Sequence, residues 1–395
     1  MRVLAITNLY PNPYQPYRAP FNRHQLRILG ERLPVRVIAP IAWTDEWRAR
    51  RAGTPPLPAG LRIEFDGLTV DHPRYLFPPK VGRGWYGHWY RRSIRTAFRA
   101  AIEEFRPDIV FAPWAYPDGW AAGRLARSVG LPVVLQVHGS DVLLLDQFPA
   151  RRRRTAEALR AADGIVAVSQ DLAGHVQAFG VDPARILVNY DGVDPALFHP
   201  SSRVEARARI GLGDGEPVVL FVGNLLPVKA VDVLIRACDR LARTGFPVRL
   251  IAIGQGPLRP ALEGQAAERG LAGRVTFTGP KPLTELPDWY RAADVFCLPS
   301  HSEGVPNVLL EASACGTPWV ASRVGGIPEI AHLGRSRLVP PNSPDELAAA
   351  IRGILTNPPV ESAPGPRDRR AAVDDLQRFL ESVCGNARPV AAAGR

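Results

Sequence analysis

Two carboxylates, a glycine and a proline lie close together in the stretch from His301 to Glu311, which reads HSEGVPNVLLE. The stretch follows the apolar run Val295–Leu298, which is typical of a buried strand. Pro306 suits the first turn of a helix, where a missing N–H breaks no hydrogen bond. Gly304 allows a ligand to approach the backbone closely. A strand, a short loop and a helix N-terminus in this order predict a site for a phosphate or a sugar hydroxyl.

The two carboxylates of this stretch occupy different places along it. Glu303 precedes the predicted helix, whereas Glu311 lies in its second turn. Because a helix rises about 1.5 Å per residue, the two groups are separated along the ligand and are not paired. This spacing argues against the acid and base couple of a glycosidase. It favours contacts with two different parts of one extended ligand.

Strand-like and helical patterns alternate along both halves of the chain. In the first half the patterns predict strands at Val3–Thr7, Val35–Ala39, Ile109–Phe111, Val133–Val137 and Gly164–Val168, with helices at Phe21–Glu31, Trp89–Phe105 and Gly119–Val129. In the second half they predict strands at Val218–Val222, Val248–Ile253, Val275–Phe277, Val295–Leu298 and Trp319–Ser322, with helices at Ala230–Thr244, Pro257–Arg269, Leu283–Ala292, Pro306–Ala314 and Pro344–Leu355. Such alternation predicts the α/β class with parallel, doubly wound sheets. At 395 residues, the chain is expected to form two Rossmann-like domains facing a central crevice.

Composition suggests where these domains end. We predict an N-terminal domain over residues 1–195 and a C-terminal domain over residues 206–360, with a linker composition across 194–215. Residues 361–395 are expected to form a C-terminal helix that packs back on the N-terminal domain and ends in a frayed tail from residue 385. The segment Trp43–Pro79 is rich in proline and glycine and breaks the alternation, so it is expected to be an irregular or hairpin insertion.

The net charge of +11 comes from arginine, since the chain has only three lysines, Lys80, Lys229 and Lys281. The segment Gly82–Arg99 combines tryptophans and tyrosines with five arginines. Aromatic and basic residues together at the start of a helix suit docking on an anionic membrane surface. The alternative is a helix packed on its own domain with a solvated basic face. No pattern of a nucleic-acid-binding module is present, so nucleic acid is not an expected partner.

Cysteine usage and hydropathy bear on the compartment. The four cysteines are scattered without paired spacing, which is typical of reduced core residues and not of a disulfide framework or a zinc site. No apolar run reaches the roughly 18 residues of a spanning helix, and no signal peptide is expected. We therefore expect a cytoplasmic location, including the inner face of the membrane.

The stretch from His301 to Glu311 resembles the Glu-x7-Glu motif of retaining glycosyltransferase family 4, whose members have the two-domain fold called GT-B. The likeness covers most of the chain, and further segments that match the family in order are HGSD at 138–141, AVS at 167–169, YDGVD at 190–194, VGNLLPVK at 222–229, GQGP at 254–257 and the strand at 275–280. The chain is most similar in pattern to transferases of polysaccharide, teichuronic acid and lipopolysaccharide synthesis.

The resemblance implies roles in the C-terminal, donor-binding domain. Lys229 would neutralise the diphosphate of a nucleotide sugar and assist its departure, while Glu311 would accept hydrogen bonds from the ribose hydroxyls. Glu303 would contact the hydroxyls of the transferred sugar. The remaining donor contacts are expected in the phosphate loop, the helix start and the edge that faces the base, at Gly223, Asn224, Gly304, Val305, Pro306, Asn307, Pro280 and Lys281.

In the N-terminal, acceptor-binding domain, His138 follows the strand Val133–Val137, at the strand end where open sheets bind ligands. The resemblance places this histidine near the anomeric carbon of the donor sugar and makes it a catalytic candidate beside Lys229 and Glu303. Asp141 would orient His138 or touch the acceptor, and Arg23 lies on the acceptor side. Ser169 could instead have a structural role, because a serine at this position can cap the following helix.

Two departures from the family pattern affect the expected site. The family has arginine where this chain has Asn224, so Arg23 or His301 would have to supply the missing cation. The first loop also lacks the family's Gly-Gly pair.

The resemblance implies catalysis by position and charge, in which the departing phosphate takes the acceptor's proton. No Asp-x-Asp metal motif and no nucleophile triad is present, so neither a metal ion nor another cofactor is expected.

The expected function is transfer of a hexose from a UDP- or GDP-sugar to a glycan or a lipid-linked acceptor in cell-surface polysaccharide synthesis. Two alternatives use the same scaffold. One is a nucleotide-sugar-binding protein without transfer activity, and the other is an enzyme that hydrolyses or isomerises the donor. A dinucleotide-dependent dehydrogenase is excluded, because no Gly-x-Gly-x-x-Gly turn follows a first strand.

Overall fold

The computed structural model describes residues 1–58, 60–79, 82–146, 148–213, 215–357 and 363–386, with Arg83 described by its backbone alone. Residues 387–395 of the predicted frayed tail lie outside the described residues. The chain divides into two compact units. The first contains Met1–Tyr190 together with the chain from Arg370 onward, and the second contains Asp191–Arg369.

The first unit is built on a sheet of eight strands in its described part. The strands of the unit are β1 (Val3–Ile6), β2 (Val35–Ile38), β3 (Ile41–Ala42), β4 (Leu61–Phe65), β5 (Leu68–His72), β6 (Arg74–Tyr75), β7 (Ile109–Ala112), β8 (Val133–Val137), β9 (Gly164–Ala167) and β10 (Ile186–Val188). The sheet has the order β10-β9-β8-β7-β1-β2-β5-β4, and β3 pairs separately with β6. Every pair in the large sheet is parallel except β4 with β5.

Helices cover both faces of this sheet, and two buried apolar clusters lie between them and the strands. The helices are α1 (Pro20–Gly30), α2 (Trp43–Arg51), α3 (Tyr86–Phe105), α4 (Trp120–Arg127), α5 (Ser140–Leu143), α6 (Pro149–Ala161) and α7 (Gln170–Gln177). The sequence patterns did not predict α6. Four consecutive arginines open this helix, and its buried residues are small or short, so the apolar period is weak.

The segment Trp43–Pro79 is more regular than its composition predicts. It contains α2 and the hairpin of β4 and β5. The expected hairpin is present, but β5 is also a parallel neighbour of β2 and therefore belongs to the main sheet. The proline and glycine residues lie mostly in the connections, and the strand residues Leu68 and Val70 are buried.

The second unit has a six-stranded sheet in its described part, and all of its pairs are parallel. Its elements are α8 (Arg203–Arg209), β11 (Val218–Val222), α9 (Val231–Arg243), β12 (Arg249–Ile253), α10 (Arg259–Glu268), β13 (Val275–Gly279), α11 (Leu286–Ala292), β14 (Val295–Leu298), α12 (Asn307–Ala314), β15 (Trp319–Ser322), α13 (Ile327–Ile330), β16 (Ser336–Val339) and α14 (Pro344–Thr356). The strand order is β13-β12-β11-β14-β15-β16. The order reverses between β11 and β14, which creates a switch point at the carboxyl edge.

Two features at the ends of the second unit differ from simple sequence expectations. The predicted linker contains α8, whose Arg207 is buried and pairs with Asp294 at 2.7 Å, so this segment is part of the unit. The contact boundary falls after Tyr190, five residues before the predicted end of the first domain. The C-terminal helix, α15 (Arg369–Asn386), packs on the first unit's sheet through residues such as Leu376 and Leu380. The predicted fold class, α/β with two Rossmann-like doubly wound domains, is confirmed.

Candidate functional site

The carboxyl edge of the second sheet carries loops that approach one another at glycines. The amide of Gly223, just after β11, donates to the carbonyl of Ile253 at 2.9 Å. A Cβ on Gly254 would lie 1.9 Å from the carbonyl oxygen of Gly223, and Gly254 has a φ of 143°. No other residue fits there without moving the backbone. The loops after β11 and β12 are therefore fixed against each other.

Lys229 and Glu303 meet at this edge. Lys229 ends a short 3-10 helix, Pro227–Lys229, in the loop after β11, and its Nζ lies 2.7 Å from Oε1 of Glu303. The side chains are 23% and 10% exposed, so the pair is reachable but largely out of water. The amide of His301 donates to the carbonyl of Val228 at 2.8 Å, which ties the two loops together. The structure thus brings two of the predicted catalytic residues together.

Gly325 is a site residue that the sequence reasoning missed. A Cβ on Gly325 would lie 1.9 Å from the carbonyl oxygen of Glu303, and Gly325 has a φ of 52°. The neighbouring Gly326 donates its amide to the carbonyl of Gly304 at 3.0 Å. The loop after β15 therefore clamps the backbone on which Glu303 is carried. The available signal was the Gly-Gly pair a few residues beyond the strand Trp319–Ser322.

Glu311 is 5% exposed and lies on the second turn of α12. Tyr290 Oη donates to its Oε2 at 2.8 Å. Burial raises the pKa of Glu311 above its ordinary value, and the hydrogen bond from Tyr290 partly offsets that rise. Like Gly325, Tyr290 was not singled out by the sequence patterns. It lies at an apolar position of the helix α11, and a local pattern does not show that its hydroxyl will contact Glu311.

The helix α12 starts one residue later than predicted, with Pro306 as its N-cap residue at φ −78° and ψ 116°. Gly304, Val305 and Pro306 are buried. The side chain of Asn307 hydrogen-bonds Asp191, while its own Oδ1 is buried and has no partner among the described residues. The first-turn amides of a helix have no intrahelical acceptor, so this end can bind an anion or a hydroxyl oxygen.

The remaining donor candidates occupy the same edge. Asn224 is exposed beside Gly223, and Lys229 is the charged residue of this loop. Pro280 is exposed and follows β13, the outer strand of the sheet. Lys281 pairs with Glu285 at 3.5 Å and lies 5.7 Å from the ring centroid of Trp289.

Two cationic candidates, His301 and Arg23, could stand in for the arginine that the family has at the position of Asn224. His301 is exposed and lies next to the loop of Lys229 through its backbone hydrogen bond. Arg23 lies in the first unit, where its Nε donates to Asp66 at 2.6 Å and its guanidinium lies over Phe65 at 4.9 Å. Of the two candidates, His301 therefore lies in the same unit as the phosphate loop. Arg23 lies in the other unit and is already paired with Asp66.

In the first unit, His138 follows β8 at the carboxyl edge of the sheet. Its ring is half-buried, 4.7 Å from the ring of Phe21 and 6.4 Å from that of Trp114. Burial lowers the pKa of His138 to about 4, so the imidazole is neutral near pH 7. Its Nε2 is buried and has no hydrogen-bond partner within the described part of the chain. A buried ring nitrogen in this state can bind a ligand hydroxyl.

Asp141 holds the loop that carries His138. Its fully buried carboxylate accepts from the amides of His138 at 3.1 Å and Gly139 at 3.0 Å through one oxygen, and from Ala115 at 3.2 Å through the other. Burial raises the pKa of Asp141, and these backbone bonds oppose the rise. Of the two roles suggested for Asp141, this geometry favours orientation of His138.

Ser169 has the structural role that its position allowed. Its Oγ accepts from the amide of Leu172 at 3.0 Å and caps α7.

Among the described residues, no group of three or more His, Cys, Asp or Glu side chains is placed to hold a metal ion. None of the helices that the structure describes is long and apolar enough to cross a membrane.

Family models match both units. Residues 216–357 match the model described as "Glycosyl transferases group 1", and residues 35–197 match the model described as "Glycosyltransferase Family 4". A D-inositol 3-phosphate glycosyltransferase of Mycobacteroides abscessus is 38% identical over 65% of this chain and 60% of that protein. The match thus spans less than two thirds of that relative. D-inositol 3-phosphate glycosyltransferase 1 of Catenulispora acidiphila is 31% identical over 78% of this chain and 77% of that protein.

Solved structures are similar at the level of the fold. A sucrose-phosphate synthase of Thermosynechococcus elongatus has a TM-score of 0.74 at 21% identity, covering 97% of this chain and 96% of that one. Anabaena HepE in complex with UDP-glucose has a TM-score of 0.69 at 20% identity, covering 98% of this chain and 93% of that one. These matches place the fold among the GT-B glycosyltransferases.

Proposed function

Because this chain belongs to glycosyltransferase family 4, we propose that it transfers a hexosyl group from a nucleotide-diphosphate sugar to an acceptor. The donor would be a UDP- or GDP-sugar, and the configuration at the anomeric carbon would be retained. The acceptor would be a glycan or a lipid-linked glycan of cell-surface polysaccharide synthesis. The observation that carries the proposal is the contact of Lys229 with Glu303, on the loop that leads into α12 and its buried Glu311.

The donor would lie along the edge with its diphosphate at Lys229 and the start of α12. An ammonium group and unpaired first-turn amides both favour a phosphate oxygen. Glu311 would accept hydrogen bonds from the ribose hydroxyls, and Glu303 from hydroxyls of the sugar. Lys229 would then exchange its contact with Glu303 for the diphosphate. That exchange releases the Glu303 carboxylate to the sugar at the moment the donor arrives.

Charge development on the leaving group explains why Lys229 would be catalytic. Breaking the glycosidic bond leaves negative charge on the departing nucleoside diphosphate, and a fixed ammonium group stabilises that charge. The departing phosphate would take the proton of the acceptor hydroxyl, so no protein nucleophile is required. We propose this path without a metal ion, with the protein acting through position and charge.

On the acceptor side, we propose His138 as a hydrogen-bonding group for a substrate hydroxyl. Its neutral ring and buried Nε2 support that role, and Asp141 keeps the ring in place through the backbone. Asp141 is thus a positioning residue. Arg23 remains an acceptor-side candidate only if its pairing with Asp66 changes when substrate binds.

We also propose that Gly82–Arg99 docks on an anionic membrane that carries the acceptor, at the inner face of the membrane. Trp85 is 60% exposed and Trp89 is 40% exposed, and Arg91, Arg92 and Arg95 on the same helix are exposed. Reversing these three charges should lower sedimentation with anionic vesicles. Unchanged sedimentation would refute the docking proposal.

The donor proposal is tested by a binding and hydrolysis screen of UDP-, GDP- and ADP-sugars without added metal. The wild type is compared with Glu311→Ala and Glu311→Gln by calorimetry. One donor should bind saturably, and both variants should bind it much more weakly. Glu263→Ala is a matched control, because it removes an exposed carboxylate of the same unit.

The outcomes separate the alternatives. If no nucleotide sugar binds, or if Glu311→Ala binds as well as the wild type, the proposed donor site is wrong. If a donor binds and is hydrolysed, but no sugar is transferred to any candidate acceptor that is present, the result favours the donor-hydrolase alternative. Thermal unfolding of each variant shows whether a loss of binding reflects a loss of folding.

A further inference from the structure

The first loop, residues 8–18, follows β1 at the carboxyl edge of the first unit's parallel sheet. Open α/β sheets bind ligands at this edge, and His138 follows β8 at the same edge. The loop leads into α1, where the ring of Phe21 lies 4.7 Å from the ring of His138. Tyr17 lies four residues before Phe21, and four residues span at most roughly 14 Å. One short oligosaccharide can therefore reach both Tyr17 and His138.

A fully buried carboxylate anchors the beginning of the first loop. Asp118 Oδ2 accepts from the amide of Asn8 at 2.8 Å and from Thr7 Oγ1 at 3.1 Å. Its Oδ1 accepts from Asn8 Nδ2 at 3.0 Å. The backbone and the side chain of Asn8 are thereby both fixed, and Asn8 Oδ1 is turned away from Asp118.

Arg18 closes the loop from its other end. Its Nε donates to the carbonyl of Asn8 at 2.7 Å, and its Nη2 donates to Asn8 Oδ1 at 3.3 Å. Its Nη1 donates to Gln15 Oε1 and lies 3.8 Å from Oδ2 of Asp45 on α2. Arg18 is the charged residue of residues 8–18, and Asp45 balances its charge. The loop is therefore tied together at both ends.

The middle of the loop is also held by hydrogen bonds. Asn12 Oδ1 accepts from the amides of Tyr14 at 3.0 Å and Gln15 at 3.1 Å, and Tyr14 Oη accepts from the amide of Leu57 at 3.1 Å. Tyr17, in contrast, is 78% exposed, the largest fraction among the large apolar and aromatic side chains that the structure describes. A single exposed ring on a loose loop would need no explanation. Here a well-held loop keeps the ring in water at a fixed place.

We propose that Tyr17 is a stacking platform for a sugar ring of the glycan acceptor. The face of an aromatic ring carries partial negative charge, and the C–H groups on one face of a pyranose ring carry partial positive charge. The two faces therefore attract each other while both lose contact with water. Tyrosine offers this area at a low entropic cost, because few side-chain torsions must be fixed. The inference rests on the proposed function, because it names the chemistry that recognises the acceptor of that reaction.

The charge of the first loop favours a neutral glycan over an anionic membrane. Docking on anionic lipids draws on exposed cations, such as Arg91, Arg92 and Arg95 in the segment proposed above for that role. The cation of the first loop, Arg18, is instead engaged by its neighbours and by Asp45. An aromatic ring in a charge-balanced loop matches an uncharged sugar ring.

The test uses the full-length protein and four neutral glycans, cellobiose, maltotriose, chitobiose and mannobiose. They are titrated by ligand-observed NMR, which detects weak binding. The wild type is compared with Tyr17→Ala and with Tyr17→Phe, which keeps the ring. Leu76→Ala is the matched control, because it removes a 55% exposed apolar side chain of the same unit beside Ser93 of α3.

We expect at least one of these glycans to bind, and we expect Tyr17→Ala to weaken that binding about five- to tenfold. Tyr17→Phe should stay within about threefold of the wild type, because stacking needs the ring and not the hydroxyl. Leu76→Ala should stay within about twofold. Sedimentation with vesicles of phosphatidylcholine and phosphatidylglycerol should be the same for Tyr17→Ala and the wild type.

Three results would overturn the inference. They are absence of binding by all four glycans, equal weakening by Tyr17→Ala and Leu76→Ala, and a Tyr17→Ala variant that loses vesicle sedimentation but keeps glycan affinity. The last result would make Tyr17 a membrane anchor. UDP- and GDP-sugar binding by the wild type is measured on the same sample. Retained donor binding without glycan binding would refute the stacking platform alone, whereas loss of both would refute the proposed function as well.

Discussion

Tyr290 Oη donates a 2.8 Å hydrogen bond to Oε2 of Glu311, and both side chains are buried in the second unit. The bond occupies one carboxylate oxygen and leaves the other available for a ligand. It also lowers the cost of keeping the carboxylate ionised, because a hydrogen bond to the charged form offsets part of the desolvation. The tyrosine thereby extends toward lower pH the range in which Glu311 is ionised and would accept the proposed ribose hydroxyls.

Tyr290→Phe should move the pH dependence of donor binding. Burial already raises the pKa of Glu311, and the tyrosine is the first of the contributions that lower it. Its removal raises the pKa further, so the protonated form persists to higher pH and binds the ribose less well. Calorimetry between about pH 5 and pH 8 should show affinity falling on the acidic side. The fall should begin at a higher pH in Tyr290→Phe than in the wild type.

Glu311→Gln is the control for this pH effect. Its side chain does not titrate, so its weaker donor binding should be independent of pH over the same range. A wild-type affinity that does not change with pH, or a midpoint that Tyr290→Phe leaves in place, would contradict the assignment.

Lys229→Ala and Glu303→Gln should separate diphosphate binding from sugar binding. Removing the ammonium group should weaken UDP and the UDP-sugar alike, by roughly 10- to 100-fold for a charge-assisted contact. Glu303→Gln should weaken only the nucleotide sugar, because its proposed partner is a sugar hydroxyl. The measurement is the ratio of the two dissociation constants. Equal losses for both ligands in Glu303→Gln would show that the carboxylate acts only through its 2.7 Å contact with Lys229.

Asn224→Arg should strengthen donor binding. Asn224 is exposed at the phosphate loop, so a longer cationic side chain can be accommodated without burying charge. A guanidinium can bind two phosphate oxygens at once, and the expected gain is about tenfold in affinity. His301→Ala tests whether His301 takes the place of the arginine that the family has at position 224. If it does, the variant should bind the donor more weakly. If Asn224→Arg changes nothing, the diphosphate does not lie at this loop.

Ala19→Gly should stabilise the first unit. Ala19 has φ 45° and ψ 63° at the start of α1, a left-handed conformation that costs an L-residue roughly 1–2 kcal/mol. Glycine removes this strain but adds about 0.4–1 kcal/mol of unfolded-state entropy, so the expected gain is about 0.5–1 kcal/mol. Ala100→Gly, in the interior of α3, is the matched control and should cost about 1 kcal/mol. Urea unfolding of the two variants should therefore change in opposite directions.

Asp118→Asn should change how stability depends on pH. Asp118 is fully buried and accepts from Asn8 and from Thr7 Oγ1, and burial raises its pKa to about 7. Between the ordinary value near 3.9 and about 7, the folded state holds a proton that the unfolded state lacks. The free energy of unfolding should therefore fall with rising pH across that window, by up to about 1.4 kcal/mol per pH unit.

The asparagine variant lacks this proton, so the wild type should lose stability relative to it as pH rises through the window. The readout is the difference between the two unfolding free energies at each pH. A constant difference would mean that Asp118 stays ionised throughout.

Local patterns in the sequence were sufficient for most of the strands and of the longer helices, and the family resemblance pointed to the candidate donor residues. Strand and helix periods are local properties, and each of the strands predicted from them is present to within two residues at its ends. The Glu-x7-Glu stretch, Lys229 and His138 were singled out because the sequence around them resembles motifs of a known family, and those motifs follow predicted strands. Other described elements, including α6, α7, β10 and β16, were not predicted. Four arginines weaken the apolar period of α6, and β10 is only three residues long. The strand β5 was expected only as part of a hairpin insertion, not as a strand of the main sheet.

Relationships between distant segments needed the tertiary structure. Tyr290 and Glu311 are 21 residues apart, and Lys229 and Glu303 are 74 apart, so no local period relates them. The clamp of Gly325 on Glu303 depends on which loops the parallel sheet brings to one edge. Sequence by itself determined the elements and the chemical types of the site residues, because both follow from short-range patterns. Only the fold decided which polar groups meet, are buried and change pKa, because burial and hydrogen bonding are properties of packed chains.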